Sequence, residues 1–159
     1  MQKDESQKIY KLDKSDAESF QVERKKVATT KSLFQDIVEL NIALDLNGSV
    51  VLSTFKPSSD VPHLTLYEEV FKNLVYQINQ KDRNTYELVG HTNSQGNAIS
   101  NKNLSVQRVR RTLEILVNDY SLDLSKMKAI GEGESNPIQD NATNEGRRMN
   151  SRVELRKLN

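Results

Sequence analysis

The chain has 159 residues, enough for one domain and an appendage. Its 23 basic and 22 acidic residues leave a net charge of +1, so no one-signed field points to nucleic acid or a membrane surface. It has no cysteine and only two histidines, His63 and His91, which excludes disulfides, thiolate metal sites and Cys–His catalysis and leaves a multi-histidine zinc centre hard to build.

Residues 1–36 are charged and weakly periodic, with Ser15 and Glu18 at capping-box spacing. They read as a linker or solvated helix ahead of a folded domain over 37–159. Leu40, Ile42, Leu44 and Leu46 alternate with Asn41, Ala43 and Asp45, the pattern of a half-buried strand. Asn47-Gly48 is a hairpin turn signal, so 49–55 should return antiparallel with Val50 and Leu52 facing the core. A loop over 57–62 follows. Thr65 and Glu68 again have capping-box spacing, and Leu66, Val70, Phe71, Leu74, Val75 and Ile78 mark one face of a helix to about Gln80.

A short strand over 86–89 leads into the polar turn His91-Thr92-Asn93-Ser94-Gln95-Gly96-Asn97. Ser105 is expected to cap a second helix over 105–120, with Val109, Leu113, Leu116, Val117 and Tyr120 inward and Arg110 and Arg111 in solvent. A turn over 124–126 precedes a third strand at 127–131. Residues 135–150 are polar and aperiodic, a length that is uncommon without a function or a short helix. Val153 and Leu155 alternate with Arg152, Glu154 and Arg156 as a closing strand. Strands separated by helices in this order predict a two-layer α/β sandwich, a mixed sheet with two main helices on one face.

The chemistry centres on 88–109. A polar loop between a strand's carboxyl end and a helix N-terminus suits an anion, and Arg108 is expected in that helix's first turn, free to clasp an acid group. Catalysis is not expected. Ser94 or Ser105 beside His91 lacks a nucleophile-elbow motif, and Asp45, Glu87 and Glu132 form no evident carboxylate pair. No cofactor or metal is implied. His91 is expected to make a structural hydrogen bond at the strand end, Gly96 to supply a positive φ, Asn150 to fix the long loop's backbone, and Arg147 and Arg148 to be surface charge.

Gly90-His91-Thr92, Gly96, Asn101, Leu104-Ser105 and Arg108 fit the signature G-H-T-D-x-x-G followed by N-x-x-L-S-x-x-R-A. Gly131-Glu132-Gly133-Glu134-Ser135-Asn136-Pro137 fits G-x-G-E-x-x-P, and two blocks beginning at Asn141 and Asn150 fit N-x-T-x-E-G-R and N-R-R-V-E. Over about 40–155 the chain therefore resembles OmpA-like peptidoglycan-binding domains. The resemblance implies the same fold and a non-catalytic site for the peptide stem of peptidoglycan at its diaminopimelate residue. The free end of that residue carries a carboxylate and an ammonium. It implies Arg108 on the carboxylate, the residue at 93 on the ammonium, and a binding set of Thr92, Asn93, Asn101, Leu104, Ser105, Arg108 and Arg152. Thr92 and Asn101 could instead bond the loop's own backbone, and Arg152 could form an ion pair on an edge strand.

The chain departs from the signature at Asn93 for aspartate, Val109 for alanine and Ser151 for the first arginine of the late pair. Asn93 keeps an acceptor and loses a charge, which costs about 1 kcal/mol, or several-fold in affinity. The resemblance also implies a place in the periplasm of a Gram-negative bacterium, in a membrane-anchored parent complex tethered by a segment outside this chain. The alternative is a docking module that has lost wall binding and partners another protein or forms a homodimer.

Overall fold

In the computed structural model, which describes residues 48–158 except 67, 81 and 82, the segment after Gly48 forms strand β1 (Ser49–Thr54). The strand expected over 40–46, its hairpin turn at Asn47 and the segment 1–36 lie outside the described residues. A two-residue strand, β2 (His63–Leu64), pairs antiparallel with β1. Helix α1 (Glu68–Gln80) buries Val70, Phe71, Leu74, Val75 and Ile78, the stripe that its 3.6-residue period predicts. Thr65, ahead of the helix, is tied to β1. Its hydroxyl donates to the Val51 carbonyl at 2.6 Å and its N–H to Leu52, tying the loop to β1.

Strand β3 (Tyr86–His91), helix α2 (Ala98–Asn118), a 3-10 turn (Leu124–Lys126), strand β4 (Met127–Gly133), helix α3 (Asn144–Asn150) and strand β5 (Arg152–Lys157) complete the chain. The sheet order is β2-β1-β5-β3-β4, with β3 and β4 parallel and the other neighbours antiparallel. The closing strand is therefore central, not an edge. Val153 and Leu155 meet Leu52, Leu88 and the apolar faces of α1 and α2 in one core cluster, so both main helices cover the same face. The expected two-layer α/β sandwich with a mixed sheet is the fold observed.

Helix α2 starts seven residues before the expected cap, at Ala98 rather than Ser105. Asn97 is the N-cap, and its side chain accepts from the Ser100 N–H at 2.8 Å. The first two turns hide from a hydrophobic reading because their inward positions are polar, Asn101 and Ser105, while Ile99 is 77% exposed. Ser105 is instead a mid-helix clamp. Its hydroxyl donates to the Lys102 carbonyl and accepts from the Gly133 N–H at 2.9 Å, bolting α2 to the end of β4.

Two glycines in register on neighbouring strands, Gly90 and Gly131, let the helix sit this close. A Cβ on Gly90 would lie 2.6 Å from Val109 Cγ2, and one on Gly131 2.6 Å from the Val106 backbone nitrogen. Overpacking of this kind costs about 1–3 kcal/mol. Gly90→Ala is thus expected to lower the urea midpoint by an amount equivalent to roughly 2 kcal/mol. An unchanged midpoint would mean that α2 rides freely over the sheet.

Candidate functional site

The loop after β3 is shaped by its own side chains. Asn93 Oδ1 accepts from the Gln95 N–H at 2.9 Å, an Asx turn, and Gly96 follows at φ 97°, as expected for that glycine. The turn delivers the chain to the Asn97 cap. On α2, Asn101, Leu104 and Arg108 fall at i, i+3 and i+7, one face of the helix. With Thr92 and Asn93 they line a small cleft of about 40 Å³, closed on its other sides by Pro57 and Ser58 of the loop after β1 and by Ser151. Five of the seven residues expected at the site are thus brought together. Ser105 is directed to β4, and Arg152 is held elsewhere.

Arg108 is neither in a first turn nor free. It lies ten residues into α2, about 15 Å along the axis from Ala98, so the helix N-terminus does not assist it. Its side chain is 1% exposed. Nε donates to the Ser59 carbonyl at 2.9 Å, Nη1 to His91 at 3.0 Å and Nη2 to Lys56 at 3.1 Å, and the guanidinium lies 4.8 Å from the Phe55 ring centroid. Every one of these partners is uncharged. Asp60 is near enough to favour the cation, but its carboxylate bonds Arg111. Burial pushes the Arg108 guanidinium down to about 10, so it remains charged at neutral pH. Of its five N–H donors, the three carbonyls engage three. Beside it, the Thr92 hydroxyl is buried without a hydrogen-bond partner among the described residues. A buried cation with spare donors and an unpaired hydroxyl on one cleft make a local site for an anionic oxygen group.

The other site residues have structural work. Asn101 donates to Glu134 Oε2, a side-chain partner rather than the loop backbone. Asn150 accepts from the Ile138 and Gln139 N–H groups and donates to Gln139 and Asn141, pinning the long loop as expected. Arg148 is exposed and pairs with Glu145, whereas Arg147 is half-buried and donates to the Asn141 and Ala142 carbonyls.

Arg152, Glu154 and Arg156 alternate along β5 opposite the core-facing Val153 and Leu155, so they share the sheet face away from the helices. Glu154 Oε2 accepts from Arg152 Nε at 3.3 Å, and Oε1 from Arg156 Nε at 2.8 Å. His91 Nε2 lies 3.2 Å from Glu154 Oε1, and its Nδ1 3.8 Å from Glu132 Oε2, so the expected structural role of His91 is met inside a charge network. Burial works to raise the Glu154 carboxyl, but the His91 hydrogen bond and the two arginines outweigh it and hold it at about 2. Burial lowers the Arg152 guanidinium, with Glu154 opposing. The Arg-x-Glu-x-Arg alternation was visible in the sequence. Its partners on β3 and β4 became visible only through strand order.

A family model described as the OmpA family matches residues 55–151. Outer membrane porin F of Pseudomonas aeruginosa is 41% identical over 122 residues, covering 72% of this chain and 35% of the porin. The chain thus spans about a third of the length of that curated relative. Among solved structures, the peptidoglycan-associated lipoprotein from Burkholderia pseudomallei superposes with a TM-score of 0.59 at 16% identity, over 69% of this chain and 88% of that one. The C-terminal domain of Helicobacter pylori MotB does so with a TM-score of 0.57 at 20% identity, over 69% and 84%. These two likenesses show a shared fold. The matched span runs from Phe55, under the guanidinium, to Ser151, on the cleft wall, and on that match the chain belongs to the OmpA family.

Proposed function

We propose that this domain binds peptidoglycan non-catalytically and anchors an envelope assembly to the cell wall through the peptide stem, with Arg108 receiving a carboxylate of diaminopimelate. The observation that carries the reading is the Arg108 guanidinium, buried against neutral carbonyls with donors to spare on the cleft that also holds the unpaired Thr92 hydroxyl. The cleft has room for one small polar group of about carboxylate size. Membership of the OmpA family supports the same class of ligand. So does the shared fold with a lipoprotein whose own name records association with peptidoglycan. In this reading Thr92, Asn93, Asn101, Leu104 and Arg108 face the ligand, while Ser105 and Arg152 hold the frame behind it. Asn93 keeps the Asx turn an aspartate would make, so the signature's lost charge alters affinity or specificity without dismantling the loop. The domain works in the periplasm, joined to a membrane by a segment outside this chain.

Co-sedimentation with purified peptidoglycan tests the proposal. The 159-residue chain should pellet with the wall. Arg108→Lys, which keeps a cation but loses the planar fork, should weaken pelleting about tenfold. Retention of the parent chain in the supernatant would overturn wall binding and favour the docking alternative.

A further inference from the structure

Two departures from the family signature, 58 residues apart, touch each other: Asn93 Nδ2 donates to Ser151 Oγ at 3.4 Å. Both line the cleft of Arg108, and Arg108 is the one charged side chain among its described lining residues. Glu134, bonded to Asn101, and Asp60, bonded to Arg111, do not line it. An ammonium entering beside the carboxylate would therefore lose its water with no anion among the described lining residues to compensate. The Asn93 amide offers N–H donors as well as an oxygen, so it matches a group with both a donor and an acceptor, such as an amide.

A second cavity of about 390 Å³ shares Pro57, Asn93, Gln95 and Ser151 with the small cleft, so the two meet at the Asn93–Ser151 pair. Ser151, where the signature has an arginine, brings less bulk and no charge to that junction. Phe55 and Pro57 give the larger cavity apolar lining, Thr54 and Gln95 polar lining, and Lys56, Arg147 and Arg148 make it basic.

We propose, resting on the wall-binding reading above, that the preferred ligand is diaminopimelate whose side-chain amine is acylated, as in a peptide cross-link, rather than the free zwitterion. The carboxylate meets Arg108, the amide meets Asn93, and the acylating residue extends past Ser151 into the larger cavity.

Calorimetry on the 159-residue chain with two synthetic stem tripeptides tests this. One carries diaminopimelate with a free side-chain amine, and the other has that amine acylated by D-alanine. The acylated peptide is expected to bind at least about fivefold tighter, and Asn93→Asp, which preserves the Asx acceptor, to reverse the order. Equal or tighter binding of the free amine by the parent chain would overturn this preference and leave wall binding standing. An unchanged order in Asn93→Asp would also overturn it, because selectivity would then reside elsewhere. Binding of neither peptide at millimolar concentration would remove the wall-binding reading and this inference together.

Discussion

Replacing Arg108 with alanine is expected to lower the melting temperature by about 15 °C and to abolish pelleting with peptidoglycan. The stability loss follows from the three carbonyls of Lys56, Ser59 and His91 that the guanidinium satisfies. Leaving buried acceptors unpaired costs about 1–3 kcal/mol each, and water entering the cleft offsets part of it, so a net loss of about 3 kcal/mol is expected. For a folded unit of this size each kcal/mol moves the midpoint by roughly 5 °C. Arg108→Lys should melt between the two, since an ammonium reaches fewer of the carbonyls. Calorimetric melts of the three proteins check the order. An alanine variant melting within a few degrees of the parent would mean that the loop after β1 needs no cation to hold it.

Glu154→Gln is expected to destabilise the domain by about 3–5 kcal/mol at neutral pH, because it leaves Arg152 buried without its carboxylate. The pH dependence is the sharper test. The Glu154 carboxyl sits at about 2 in the fold, below its ordinary value of 4.5. The fold therefore gains from its ionisation above about pH 4.5, and that gain, roughly 3 kcal/mol, is lost as pH falls toward 2. The Glu132 carboxyl, where Asn136 and Arg156 outweigh burial, is also lowered and adds in the same direction. The glutamine variant has nothing to protonate at 154. Urea midpoints of parent and variant should thus lie far apart at pH 7 and converge near pH 2.5. Two curves that stay parallel over that range would show that the carboxylate is not what balances the arginines.

What the sequence made legible was set by which positions are apolar. The stripe of α1 and the alternation of β5 each present one apolar face, and period alone places them, whereas β1 was placed by the Asn47-Gly48 turn signal. The start of α2 escaped because its first inward residues, Asn101 and Ser105, are polar and bonded to the rest of the fold rather than packed in oil. The glycine seat escaped for a related reason. Gly90 reads as the end of a strand, and only the β3–β4 register brings Gly131 beside it under the helix. At the site, the motif spacing named five residues that gather on the cleft and two that do not, Ser105 and Arg152, and it did not give their state. Arg108 was expected to be open, whereas two of the three carbonyls that enclose it come from Lys56 and Ser59, far from it in sequence and with nothing to mark them as arginine acceptors. The contact between Asn93 and Ser151 could have been suspected, since both depart from one signature and both exchange a charged side chain for a neutral one.

In the proposed anchoring role the domain would work under tension, and the enclosure of Arg108 bears on that. A pull on anything gripped by the guanidinium is divided among backbone segments at 56–59 and at His91, which belong to opposite ends of the described chain's first half. No single loop can be peeled away alone. Load that would strip a surface arginine from its ligand by swinging its side chain is instead delivered into the backbone of the loop after β1 and the end of β3, where several bonds must yield at once.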